Sequence, residues 1–324
     1  YCYETHLKSM MTQDVIARLK KLITRIFLEK RKLQISFFGG EPLLYYKKVM
    51  LPILEYTKSI SEEMNGCFYV NMTTNGYLLT PSRIKELKKY NLNGAQITLD
   101  GYKDSHDNIR FPKKGVGSYD KIIFHIHELT KNDVPVTVRI NCTEENITNI
   151  HNIVESFEDL SACCKQKIDF DFQIVWQEKH KEEISSQLNQ IVRGFVERGL
   201  NAAKMSFRDF CYADKRNACV VNFNGDLYNC TAIDFEKVNR DGYLSENGEL
   251  IWENNSLERR MASKLKNERC LTCRILPLCH GGCTKHSLTA EADYCIYDFN
   301  EEEIDQVVLD AIEHSIQLGK TKKI

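Results

Sequence analysis

Between residues 12 and 204 the sequence alternates helical and strand periodicities, and this alternation restricts the possible folds more than any other feature. Thr12 is placed as an N-cap for a helix to about Lys30, with Val15, Ile16, Leu19, Leu22, Ile23 and Ile26 recurring on one face. Strand patterns follow at 33–38, 68–73, 94–99, 136–142 and 168–176. Helical patterns occupy 51–64, 80–90, 119–131, 145–158 and 182–203. Strands each followed by a helix, at a period of roughly 30–35 residues, imply an α/β fold: a parallel sheet covered by helices. An open doubly wound sheet and a barrel both satisfy this pattern. Beyond 204 the periodicity stops, and turn-rich, cysteine-punctuated segments run to a last amphipathic helix at about Glu301–Leu318. The boundary is placed near Met205, giving segments 1–204, 205–298 and 299–324.

Lys plus Arg (44) and Asp plus Glu (45) nearly cancel, which argues against a broad nucleic-acid surface. No apolar run approaches the ~20 residues of a membrane span. The unusual residue is cysteine: of thirteen, eight lie between 211 and 295. Their spacing reads Cys211-x7-Cys219-x10-Cys230, Cys270-x2-Cys273-x5-Cys279-x3-Cys283, and then Cys295. Eight thiolates divide into two sets of four, the number for a tetrahedral zinc ion or a [4Fe–4S] cube. A disulfide framework fits less well, because the dense spacings would need several tiny loops. Asn224-Gly225-Asp226 signals a hairpin turn that delivers Cys230 on its returning strand. Cys67, Cys142, Cys163 and Cys164 read as buried structural thiols. Asn-x-Ser/Thr triplets at Asn71, Asn141 and Asn229 are of a kind common by chance, and His125 and His127 flank Ile126 without a ligand pattern.

Several loops after strand patterns carry chemistry-bearing residues. Gly39-Gly40 lets backbone approach a ligand, and Glu41 can accept from an ammonium. Thr98 and Asp100 end a strand within reach of hydroxyls or a carboxylate, and Arg110 offers a fork for a carboxylate. Asn75-Gly76 and Asp100-Gly101 are also turn signals. Tyr1-Cys2-Tyr3-Glu4 resembles the end of the CxxxCx(aromatic)C loop of radical SAM enzymes. Phe38-Gly39-Gly40-Glu41-Pro42 resembles their GGEP motif, and Thr73-Thr74-Asn75-Gly76 and Ile97-Thr98-Leu99-Asp100-Gly101 follow in order. His106-Asp107-Asn108-Ile109-Arg110 is similar to the HDxxR segment of the peptide-modifying and sulfatase-maturing branches, and the cysteine-rich region is similar to a SPASM domain.

The resemblance implies a partial (β/α)6 TIM-like barrel lacking its first strand over 1–204, a SPASM domain over 205–298, and a C-terminal helix with a basic tail. It implies an S-adenosylmethionine site using Gly39, Gly40, Glu41, Asn75, Thr98, Asp100 and Arg110, with Cys2 on the radical [4Fe–4S] cluster. Cys211, Cys219, Cys230 and Cys283 would hold one auxiliary [4Fe–4S] cluster; Cys270, Cys273, Cys279 and Cys295 would hold the other. The implied partners are a peptide or protein substrate and a reductant such as flavodoxin or ferredoxin, in the cytoplasm, with neither nucleic acid nor membrane. Cys230 is followed by Thr231, where the sulfatase maturases place a proton-accepting Asp. That favours thioether or carbon–carbon crosslinking of a ribosomally made peptide over oxidation of Ser or Cys to formylglycine. A non-catalytic two-zinc module is the reading from another class, and no residue is assigned as the catalytic proton acceptor. The two cysteines expected three and seven residues before Cys2 precede Tyr1, and one thiol cannot hold the radical cluster. Iron-reconstituted protein of this sequence is therefore expected to form no 5′-deoxyadenosine above background, whereas a form extended upstream forms it. Chromatography of the reaction mixture decides, and product above background from this sequence refutes the expectation.

Overall fold

The computed structural model describes residues 9–30, 32–203, 211–264 and 267–321. They form two compact units, whose division falls within helix α1 (Gln13–Glu29): the described residues from Lys20 through 203, and those up to Leu19 together with those from 211 onward.

The first unit is a parallel sheet of six strands in the order β1 (Lys32–Phe37), β2 (Cys67–Thr74), β3 (Leu92–Leu99), β4 (Val136–Cys142), β5 (Ile168–Ile174) and β6 (Asn201–Ala203). Sequential neighbours with no reversal settle the choice left open by periodicity, since a doubly wound sheet changes direction at a switch point. Right-handed crossovers that advance one way put their helices on one face. These helices are α2 (Leu51–Glu63), α3 (Pro81–Lys88), α4 (Lys103–Ile109), α5 (Tyr119–Lys131), α6 (Ala162–Lys165) and α7 (Lys181–Glu197). The strands alternate accordingly: Val70, Met72, Ile97, Val138 and Phe170 are buried, while Asn71, Thr73, Gln96, Thr98, Arg139 and Asp171 lie on the opposite face.

The sixth strand corrects the expected helix over 182–203. Gly199 is left-handed (φ +75°), Gly199 N–H donates to Val196 O at 2.9 Å, and Leu200 N–H donates to Phe195 O at 3.1 Å. This paired closure ends the helix at Glu197 and frees Asn201–Ala203 for the sheet. The helix expected over 145–158 is a 3₁₀ run at Ile150–Phe157. Upstream, Asn146 accepts from Thr143 N–H at 2.9 Å and donates to Asn141 O at 2.9 Å, so its side chain competes with the backbone for the first turn. Helix α4 was not visible as a period, and a π-helical turn at Tyr46–Met50 precedes α2.

The second unit carries an antiparallel sheet in the order β10-β9-β8-β7, from β7 (Val220–Val221), β8 (Asp226–Tyr228), β9 (Gly242–Leu244) and β10 (Leu250–Trp252). Gly225 (φ +89°) makes the expected turn, so Cys219 and Cys230 flank the open end of the β7–β8 hairpin. Gly242 is obligatory, because a Cβ there would lie 2.0 Å from Ile251 O. Short helices α8 (Ser256–Met261), α9 (Glu268–Leu271), α10 (Leu276–Cys279) and α11 (Thr284–Thr289) lead to α12 (Glu301–Thr321), whose Ile304 and Val307 bury against Ile275. Among the described residues no helix is long and apolar enough to cross a membrane.

Behind the sheet of the first unit, Phe195 meets Phe170 and Phe172 edge-on at 4.9 and 5.3 Å, and Phe170 meets Phe157 at 5.1 Å. Phe195→Ala is expected to cost ~3–5 kcal/mol through lost burial and the cavity left behind. Urea unfolding checks this as a lower midpoint at unchanged slope.

Candidate active site and thiol centres

The loop after β1 is shaped by Gly39, whose φ of +135° is strained for any side chain. A Cβ on Gly39 or Gly40 would meet nothing within 4 Å, so both leave open space. Glu41 is held by three donors: Leu43 N–H at 3.0 Å, Thr74 Oγ1 at 2.8 and 2.9 Å to its two oxygens, and Asn75 N–H at 2.8 Å. Burial raises its pKa while these hydrogen bonds pull the other way. Asn75 is engaged in the turn itself, its Oδ1 accepting from Tyr77 N–H at 2.9 Å. Thr74, not foreseen, is the side chain that clamps Glu41; its position at the end of a strand, next to the Asn-Gly turn, was the available signal.

Asp100, at the end of β3, is 1% exposed and accepts from Arg110 Nε and, at 2.8 Å, from Asn141 Nδ2. Its backbone N–H donates to His106 Nδ1 at 3.2 Å, so His106 carries its proton on Nε2, 3.0 Å from Ser118 Oγ. Ser118 Oγ in turn donates to Arg110 O at 2.6 Å. Asp107 accepts from Ser118 and Tyr119 N–H at 2.7 and 2.8 Å and so caps α5. The carboxylate expected for Arg110 is thus Asp100 itself. Thr98 lies on the polar face of β3, in register with Arg139, and makes no side-chain hydrogen bond among the described residues. Asn141, seen in the sequence only within a chance triplet, is 5% exposed and accepts from Arg139 Nε at 3.2 Å.

In the second unit Cys270, Cys273, Cys279 and Cys295 line one cavity of about 230 Å³. Burial raises the Cys270 thiol, and the neighbouring Cys295, Cys279 and Cys273 raise it further. Burial raises the Cys279 thiol, and the backbone of Gly281 and Gly282 pulls it the other way, Gly282 N–H donating to Cys279 O at 3.0 Å. Of the other four thiols, Cys211 and Cys230 are neighbours, and Thr231 N–H donates to Tyr212 Oη at 2.6 Å between them. The Thr284 hydroxyl bonds Asp214, which ties the residue after Cys283 to the turn after Cys211. Cys219 lies beside Arg260, and burial pushes its thiol up to about 11. Among the described residues no three His, Cys, Asp or Glu side chains converge to hold a single ion. Cys142 and Cys164 are buried as expected. Cys67 and Cys163 are exposed instead, the first on the polar face of β2 and the second in the four-residue helix α6. Cys2 lies outside the described residues.

Burial lowers His106 to about 4. The folded state therefore holds His106 neutral at pH values where the unfolded chain, at about 6.5, already binds a proton. The stability it contributes is full above pH 6.5 and is lost as pH falls from there to about 4, by ~3 kcal/mol at roughly 1.36 kcal/mol per unit. In His106→Asn this slope is expected to vanish; urea unfolding across the window checks it.

Residues 1–157 match the family model of the radical SAM superfamily. The chain is 24% identical to the cysteine-type anaerobic sulfatase-maturating enzyme of Clostridium novyi over 83% of this chain and 78% of that protein. It is 21% identical to the PqqA peptide cyclase of Bradyrhizobium diazoefficiens over 85% of this chain and 74% of that protein. The solved structure of anSMEcpe with bound AdoMet and Kp18Cys peptide superposes with a TM-score of 0.68, at 18% identity, covering 100% of this chain and 95% of that one. This last likeness is one of fold.

Proposed function

We propose, from the match of residues 1–157 to the radical SAM superfamily, that the protein is a member of it and modifies a ribosomally made peptide by forming a thioether or carbon–carbon crosslink. S-adenosylmethionine with a reduced [4Fe–4S] cluster supplies, when bound, a carbon radical able to remove a hydrogen atom from an unreactive C–H bond. Gly39 and Gly40 leave room for the methionine moiety at the C-terminal end of the sheet. Glu41, its carboxylate fixed by Thr74 and Asn75, retains acceptor capacity for the ammonium. Thr98, Asp100 and Arg110 serve the ribose or the methionine carboxylate, with Asp100 holding the Arg110 guanidinium and Asn141 holding Asp100.

The auxiliary centres are assigned to Cys211, Cys219, Cys230 and Cys283, and to Cys270, Cys273, Cys279 and Cys295. The donor chemistry fits at the second set, whose four thiols line one cavity; for the first set the assignment follows the cysteine spacing and the resemblance. Full thiolate ligation leaves no open iron, which suits electron transfer to or from a reductant of the flavodoxin or ferredoxin class in the cytoplasm. The observation that carries the choice of reaction is Thr231, bonded to Tyr212 where formylglycine chemistry would need a carboxylate. The similarity to the Clostridium novyi maturase supports the second reading, oxidation of Ser or Cys to formylglycine.

Anaerobically prepared protein is expected to be brown, and its two four-thiol sets to hold about eight irons, with about four lost in Cys279→Ala. Two zincs in a colourless sample would establish the binding module instead. With all three thiols of the radical-cluster loop present, coexpression with peptides encoded beside the gene is expected to remove the mass of two hydrogen atoms without creating an aldehyde. A hydrazide-reactive aldehyde on a coexpressed sulfatase would select the second reading.

A further inference from the structure

Arg260, on α8, is 2% exposed and among the largest fully buried side chains. Its Nη2 donates to Lys215 O and Ala218 O at 3.2 and 3.0 Å, whereas Nε and Nη1 have no hydrogen-bond partner. A buried guanidinium with two idle donors is costly unless an anion compensates it. Asp241 and Asp214 act on its charge from nearby without a hydrogen bond to Nε or Nη1, and each is also bonded elsewhere. Asp214 is ion-paired with Lys264 at 2.6 Å and bonded by Thr284, and Asp241 accepts from Asn229 N–H at 2.9 Å. The guanidinium carbon lies 5.1 Å from the centre of the Trp252 ring, a weak attraction that satisfies no N–H. Arg260 is also the charged group that acts on Cys219. The segment it braces, Lys215–Ala218, runs directly into that cysteine.

We propose that Arg260 is the counter-cation and hydrogen-bond donor of the iron–sulfur cluster held through Cys219, and that it raises that cluster's reduction potential. This rests on the reading that Cys211, Cys219, Cys230 and Cys283 hold one cluster. A four-thiolate cluster is an anion and gains a further negative charge on taking an electron from the reductant. A fixed cation and N–H donors at its sulfurs favour the reduced form. Arg260 is thus a positioning and tuning residue, touching the ligand shell rather than substrate.

The test is an EPR-monitored redox titration of the anaerobically reconstituted protein, with iron counted for each sample. Cys219→Ala first checks the underlying reading and is expected to lose about four irons. Arg260→Met, at wild-type iron content, is expected to lower the equilibrium constant for reduction of one cluster about tenfold, ~59 mV for one electron. Arg260→Lys keeps the charge but loses the fork, and is expected to shift the same signal less; it decides the matter if the Met variant fails to fold or load. Full iron with unchanged potentials in the Lys variant, and in the Met variant where it loads, would overturn the inference while leaving the cluster assignment intact. No iron lost in Cys219→Ala would remove the premise and the inference with it.

Discussion

Every crossover in the first unit advances in the same direction, and the architecture of its site follows from that. Repeated right-handed connections without reversal stack the helices on one face of the sheet. A parallel sheet covered on both faces would read as continuous apolar runs. Here each strand instead alternates, with Val138 and Ile140 on the helix side of β4 and Thr137, Arg139 and Asn141 on the other. With no switch point to open a crevice, chemistry is left to the C-terminal ends of the strands and the polar face they border. Glu41, Thr74, Asp100 and Asn141 all stand at those ends.

These residues first satisfy one another. A carboxylate removed from water must be given donors, and the donors also fix its direction. Glu41 receives three, drawn from its own loop and from the end of β2, so the Gly-Gly-Glu turn and the Thr-Thr-Asn turn are one joint. Asp100 receives Arg110 on one oxygen and Asn141 on the other, while His106 holds its backbone. The His-Asp-x-x-Arg run is therefore mainly a brace: its His orients Asp100, its Asp caps α5, and its Arg closes the pair. Ligand contacts, where made, are made by groups whose rotamers this bracing has already chosen.

How much could be read in advance depended on the range of the interaction. Strands β1 to β5 were legible because their apolar alternation is local, and the hairpin at Gly225 because Asn-Gly-Asp is a local turn signal. Strand β6 was not, since three residues carry no period and the stop at Gly199 was read as helix interior. Asn141 was missed for a different reason. Its importance comes from Asp100, on the neighbouring strand and 41 positions away in sequence, and no local pattern reports such a pairing. The placing of Cys295 and Cys270 around one cavity is of the same kind, since spacing alone does not pair them. The exposure of Cys67 and Cys163 escaped notice because a strand or short helix signals burial only on average.

At the cysteines of the second unit two opposite influences meet. Burial raises Cys211, Cys219, Cys270 and Cys279, so each is a neutral thiol when nothing is bound. The ligating species is the thiolate, so under the proposed cluster assignment each proton would leave as metal enters. The surroundings also carry groups that favour the charged form. The backbone of Ala213 pulls the Cys211 pKa down, that of Gly281 and Gly282 does so for Cys279, and the charge of Arg260 does so for Cys219. At Cys279 the means is conformational. Gly281 and Gly282, both left-handed at φ +79° and +75°, fold the backbone back on Cys279, with Gly282 N–H donating to Cys279 O at 3.0 Å, and a side chain at Gly282 would strike Tyr294. Groups of this kind would favour metal-bound thiolates over neutral thiols, in keeping with the proposed assignment.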